Sequence, residues 1–136
     1  MKSSKLAFVI LVLAVVASAQ SHNISGKWKT TWTPAGGKPN TITLTEGAGN
    51  KIVSLSGTFI ADSGEKCAVT GTKSNEANRQ IDMKVKCADW SISMTGTIAD
   101  DGQSIEGQYT AHYSSGPSLG DYRMDKIICM LPEGCN

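Results

Sequence analysis

From residue 20 onward the chain alternates apolar and polar residues, and no stretch sustains the 3.6-residue period of a helix. Glycine-rich and polar clusters such as "PAGGKP", "EGAGN" and "ADDG" interrupt this alternation roughly every ten to fifteen residues. A period of two predicts strands with one face buried, so the fold class is all-β. The predicted strands lie near residues 26–33, 40–46, 51–60, 66–73, 80–87, 90–98, 103–113 and 120–128.

The connections between these segments are short, so each strand most simply pairs with the next one in an antiparallel meander. Eight such strands with one apolar face would leave two unpaired edges if the sheet stayed open. Closing the sheet into an eight-stranded up-and-down barrel removes both edges. We therefore predict a barrel, and a two-sheet β-sandwich is the alternative architecture.

The ends of the chain indicate an exported protein. Lys2 and Lys5, an apolar run and the small residues of 17–19 together describe a secretory signal peptide over residues 1–19. Residues 20–136 then form a single domain, and the protein is expected to be secreted. Without the two leader lysines the formal net charge falls from +1 to −1, which indicates neither a nucleic-acid nor a membrane partner. Asn23 begins an N-glycosylation sequon that is relevant only in a eukaryotic source.

The exported part contains an even number of cysteines, which in an oxidising compartment predicts two disulfides. They are Cys67, Cys87, Cys129 and Cys135. Three pairings are possible, but folding residues 66–87 into a hairpin places Cys67 directly opposite Cys87 on the inward face. We therefore predict a Cys67–Cys87 bridge that braces the barrel and a second bridge that closes the short C-terminal loop.

Inward-facing aromatic residues from five segments are expected to meet at one end of the barrel, which we call the mouth; the first strand ends there. They are Trp32, Phe59, Trp90, Tyr113 and Tyr122. The opposite end is the base, and Trp28 is expected to fill it. Rings with polar tips suit a half-wet binding site, although the same rings could pack an eight-stranded interior solid.

Glycines recur on the inward faces of the strands, within "SGTF", "TGTK", "TGTI" and "EGQY". The residues concerned are Gly57, Gly71, Gly96 and Gly107. A glycine inside a strand usually marks a bend or a close approach, so we expect these positions to curve the sheet and to make room for large neighbours. At the base, Gly71 and Gly96 are expected to make room for Trp28.

The opening "SGKW" resembles the start of two related barrel families. Gly26 and Trp28 match the Gly-x-Trp of lipocalins, and "GKW" with "TITL", "SGTF" and "EGQY" is similar to the avidin family. The resemblance implies a calycin-like ligand-binding barrel. Avidin-like proteins place polar contacts in and after the first strand, where this chain has Thr and Pro34. A basic residue packs over the lipocalin Trp, for which Arg123 and Lys126 are candidates, although alternation points Arg123 outward.

No catalytic motif is present, so we predict that the protein is not an enzyme and uses no cofactor or metal. His112 falls on an outward face, His22 precedes the first strand, and Cys-x-x-Cys is absent. The predicted function is binding of a small, mostly apolar ligand at the mouth. The alternative is binding of an extracellular protein, as in an enzyme inhibitor, through the loops "TPAGGKPN", "ADSGEK" and "SSGPSLG".

Overall fold

The computed structural model describes residues 22–34 and 37–128. The predicted signal peptide and the predicted Cys129–Cys135 bridge lie outside these residues. Eight strands occur within the described part of the chain. They are β1 (Gly26–Thr33), β2 (Asn40–Glu46), β3 (Ile52–Ile60), β4 (Lys66–Ser74), β5 (Gln80–Lys86), β6 (Ser91–Ile98), β7 (Ser104–Tyr113) and β8 (Gly116–Lys126).

The bounds agree closely with the prediction except at the start of β8. That strand begins at Gly116 rather than near residue 120, and it pairs with β7 from Tyr113↔Gly116 onward. The stretch "SSGPSLG" was predicted to be a loop at the mouth, and that prediction was wrong. Only two residues, 114–115, separate β7 from β8.

The strands form a closed barrel in sequence order, with every neighbouring pair antiparallel. β8 completes the closure by pairing with β1, in a register that sets Trp32 opposite Tyr122 and Thr30 opposite Met124. The predicted up-and-down barrel is therefore confirmed, and the two-sheet sandwich is wrong. Within the described residues, no helix is long and apolar enough to cross a membrane.

The disulfide between Cys67 and Cys87 is confirmed, with a Cα–Cα distance of 4.6 Å. Cys67 lies in β4 and Cys87 directly follows β5, and Val69 lies opposite Val85 in the same hairpin, as the alternation required. Both cysteines are buried beside the core. The bridge therefore joins β4 to the segment that follows β5, near the mouth.

Residues 22–25 close the base of the barrel. Ile24 and Trp28 are both fully buried, and the Trp28 indole Nε1 donates a hydrogen bond to the Ile24 carbonyl at 2.9 Å. Under this segment Lys73 is almost fully buried and pairs with Glu46, with an Nζ–Oε2 distance of 2.7 Å. Lys73 also donates to the His22 carbonyl at 2.6 Å. The base is therefore sealed by an apolar residue, an indole and an internal ion pair.

The inward glycines bring strands close together and accommodate one large ring. Gly107 lies opposite both Tyr122 and Gly96 in the neighbouring strands. A methyl group added at Gly96 would meet the Tyr122 hydroxyl and the Glu106 carbonyl. The prediction that Gly96 makes room for Trp28 was therefore wrong, because Tyr122 occupies that space. At Gly57 and Gly71 an added methyl group would instead meet the backbone of the adjacent strand.

Candidate ligand-binding site

A cavity of about 440 Å³ opens at the mouth of the barrel. Its aromatic and apolar wall is formed by Trp32, Phe59, Ala61, Trp90, Ile92, Tyr109, Ala111 and Tyr113. Its polar border is formed by Lys38, Asn40, Asp62, Ser63 and Ser118, together with Gly37. The structure thus brings four of the five aromatic residues predicted for the mouth, Trp32, Phe59, Trp90 and Tyr113, around one space.

The rings follow one another around the cavity wall. The Trp32 ring meets Tyr109 at a centroid distance of 4.9 Å and Phe59 at 6.2 Å, with interplanar angles of 79° and 78°. Phe59 in turn meets Trp90 at 6.1 Å and 81°. Trp90 and Tyr113 are stacked at 5.5 Å and 24°. Such edge-to-face contacts are the favoured geometry of aromatic pairs, so the wall is held by its own packing.

Tyr122 is placed differently from the other four predicted residues. It is only 3% exposed and does not line the cavity; its ring contacts Trp32 at 6.2 Å, and its hydroxyl lies against Gly96 inside the barrel. Burial raises the pKa of the Tyr122 phenol well above its ordinary value, and the nearby Asp82 carboxylate adds to the effect. Tyr122 therefore remains neutral and belongs to the interior behind the aromatic wall.

Tyr109 lines the cavity although the sequence did not single it out as a mouth residue. Its side chain is 6% exposed and packs where Gly120 leaves room, since a methyl group there would meet the Tyr109 ring. Burial raises the pKa of the Tyr109 phenol, with smaller contributions from Tyr113 and Asp121. The alternation of β7 could have identified it, because it places Tyr109 on the same inward face as Ala111 and Tyr113.

A hydrogen-bonded chain connects the aromatic wall to the polar border. The Trp32 indole Nε1 donates to the Asn40 side-chain carbonyl at 2.8 Å. The Asn40 amide donates in turn to the Ile60 carbonyl at 3.0 Å and to an Asp62 carboxylate oxygen at 2.9 Å. Asn40 opens β2 and Asp62 follows β3, so neighbouring strand ends hold this chain. The side chain of Lys38 borders the same cavity and is exposed.

Trp90 stands in the turn between β5 and β6, and two contacts fix that turn. The Cys87 N–H donates to the Trp90 carbonyl at 2.9 Å, and the Ala88 N–H donates to the Glu65 carboxylate at 2.8 Å. The potential metal-ligand atoms of Glu65, Cys67 and Cys87 lie within 4.8 Å of one another. Because the two sulfurs form the disulfide, they are not available as thiolate ligands. The contacts therefore fasten an aromatic residue of the cavity wall.

Two hydroxyl groups inside the barrel have no hydrogen-bond partner among the described residues. They belong to Thr30, which is fully buried on β1, and to Tyr122. At the base, the Lys126 ammonium lies 5.8 Å from the Trp28 ring centroid, while Arg123 is exposed and paired with Glu106. Of the two candidates, Lys126 is the basic residue that packs over Trp28.

Comparison with known proteins gives a match in structure but none in sequence. The chain matches no described protein family and no curated protein sequence. Among solved structures, it is similar to the crystal structure of Xenavidin, with a TM-score of 0.62 over 79% of this chain and 100% of that chain. The fold is an avidin-like barrel. The sequence identity to Xenavidin is 15%, so the similarity concerns the fold, while the ligand has to be argued from the residues of the cavity.

Proposed function

We propose that this protein is a secreted, non-catalytic binding protein that holds a small, mostly apolar ligand in the cavity at the mouth. The observation that carries the proposal is the cavity itself, about 440 Å³ in volume and walled by five aromatic rings. Ligand sites in proteins typically have volumes of about 300–1,000 Å³, apolar walls and a few placed polar groups. A solidly packed barrel would instead have favoured a protein-binding role through the loops.

The chemistry of the wall supports binding rather than catalysis. Among the described residues that line the cavity, none is a histidine, and the nearby cysteines Cys67 and Cys87 are joined in a disulfide. His112 is exposed on the outer face, as alternation predicted. It therefore does not reach the cavity, where a general base would have to lie. The avidin-like fold supports the same proposal, since the resemblance in sequence implied a ligand-binding barrel.

Titration with N-phenyl-1-naphthylamine, a neutral dye that fluoresces in apolar sites, tests the proposal. We expect saturable 1:1 binding that Trp90→Ala weakens about tenfold, corresponding to about 1.4 kcal/mol. The control is Leu119→Ala, which removes an apolar side chain that is 66% exposed on β8 and is absent from the cavity wall. Absence of binding, or equal weakening by both substitutions, would contradict the proposal; thermal unfolding of each variant verifies that it is folded.

A further inference from the structure

Four of the five rings of the cavity form a box, and the fifth, Tyr113, stacks on Trp90. Successive planes from Tyr109 through Trp32 and Phe59 to Trp90 are turned by 78–81° relative to one another. The faces of aromatic rings carry negative potential, and several faces around one space attract a cation, most strongly when tryptophan is among them. The cavity has two tryptophans, so its wall alone favours a positively charged or neutral occupant over an anion.

A carboxylate is fixed at the border of this box. One oxygen of Asp62 accepts the hydrogen bond from Asn40, which is itself held by the Trp32 indole and the Ile60 carbonyl. The other Asp62 oxygen has no hydrogen bond or ion pair with any described residue, and the side chain is exposed. The negative charge is therefore held in place beside the rings, with one oxygen available to a ligand.

Lys38 is the charge at the border that opposes a cation. Its ammonium forms no ion pair or hydrogen bond with the residues described, and its side chain is exposed. A lysine ammonium is strongly hydrated on a flexible stem, so it can turn into solvent at small cost. Asp62, in contrast, is fastened to the wall through Asn40. The Asp62 carboxylate and the ring faces therefore both attract a cation from fixed positions, while the opposing Lys38 ammonium is not fixed.

We propose that the ligand carries an organic cation, an alkylated ammonium whose apolar substituents contact the rings and whose charge lies near Asp62. This inference rests on the proposed function, because it specifies the chemistry of the ligand in the same cavity. Alkylated ammonium groups match both requirements: they are large and weakly hydrated, so ring faces can replace their water, and they retain the full charge that a carboxylate attracts.

Three soluble compounds of almost equal shape test this inference through displacement of N-phenyl-1-naphthylamine. They are choline, its neutral carbon analogue 3,3-dimethylbutan-1-ol, and the anion 3,3-dimethylbutanoate. We expect choline to bind at least about tenfold more tightly than the alcohol, and the anion to bind most weakly. Asp62→Asn keeps the acceptor for Asn40 and removes the charge, so it should abolish the preference for choline without changing the affinity for the alcohol.

Two further variants complete the test. Lys38→Gln should raise the affinity for choline, whereas Asp101→Asn, a carboxylate in the turn between β6 and β7 at the base, should leave it unchanged. Equal binding of all three compounds, failure of all three to displace a bound dye, or tightest binding of the anion would overturn the cation inference and leave the small-ligand function standing. A protein that binds neither the dye nor any of the compounds would contradict the proposed function itself.

Discussion

Replacing Glu46 by glutamine would break the ion pair that seals the base of the barrel. One Glu46 oxygen accepts hydrogen bonds from the Lys73 ammonium at 2.7 Å and from the Ile24 N–H at 2.6 Å. The Lys73 side chain is 3% exposed and that of Glu46 is 14% exposed. The substitution would therefore leave a buried ammonium without a counter-charge, with only neutral oxygens such as the His22 carbonyl as partners.

Removal of one member of a buried ion pair costs about 3–5 kcal/mol, because the remaining charge is uncompensated. Glutamine still offers an oxygen to Ile24, so we expect the lower end, about 3 kcal/mol, which is a large part of the usual 5–15 kcal/mol of a domain. The measurement is urea unfolding followed by tryptophan fluorescence, where the midpoint should fall while the denaturant slope is unchanged.

The double variant Glu46→Gln/Lys73→Met separates the cost of an unpaired charge from the cost of lost packing. Replacing both partners leaves no buried charge, so the double variant should be more stable than Glu46→Gln alone. Lys84→Met, at an exposed position in the middle of β5, is the matched control and should stay within about 0.5 kcal/mol of the parent. A loss below about 1 kcal/mol for Glu46→Gln, or a double variant less stable than that single variant, would refute the argument.

Three other predictions concern the buried Trp28, the disulfide and Gly96. Trp28→Ala should cost about 3–5 kcal/mol in chemical unfolding, since this indole is fully buried, whereas Trp32→Ala should cost less and weaken dye binding; equal large losses would contradict an open mouth. Replacing Cys67 and Cys87 by serine should lower the free energy of unfolding by about 2–4 kcal/mol in the same assay, and no loss would contradict a bracing role. Gly96→Ala should lower it by about 1–3 kcal/mol, because the methyl group enters space filled by the tyrosine hydroxyl of β8; an unchanged midpoint would contradict that packing.

Strand positions and register could be predicted because a period of two leaves little freedom. A slip of one residue turns every apolar side chain of a strand to the opposite face, so the buried face fixes the pairing. Val69 opposite Val85 is one result, and the Cys67–Cys87 bridge follows from the same register. Closure of the barrel could be predicted because an open sheet of eight strands would leave two unpaired edges.

The start of β8 could not be predicted from local composition. Ser, Gly and Pro117 in residues 114–120 favour a turn, and only the pairing of this segment with β7 makes it a strand. The misplaced start also explains the placement of Tyr122. Tyr122 lies six residues after Gly116, the first residue of β8, and its ring is inside the barrel. Its pairing partner Trp32 lies only one residue before the end of β1. Alternation gives the face of a residue, while its depth depends on the stagger of the strands.

The two ends of β1 differ in burial and in the hydrogen bonds of their tryptophans. At the base, Trp28 is fully buried, its indole nitrogen bonds to the Ile24 carbonyl, and the Lys73–Glu46 ion pair lies beneath residues 22–25. At the mouth, Trp32 is partly exposed, and its indole nitrogen bonds to Asn40, which in turn holds Asp62 at the border of the cavity. The same residue type thus completes the core at one end and organises a polar border at the other. Because no residue of the base seal lines the cavity, we expect substitutions in the cavity wall to leave the closure of the base intact.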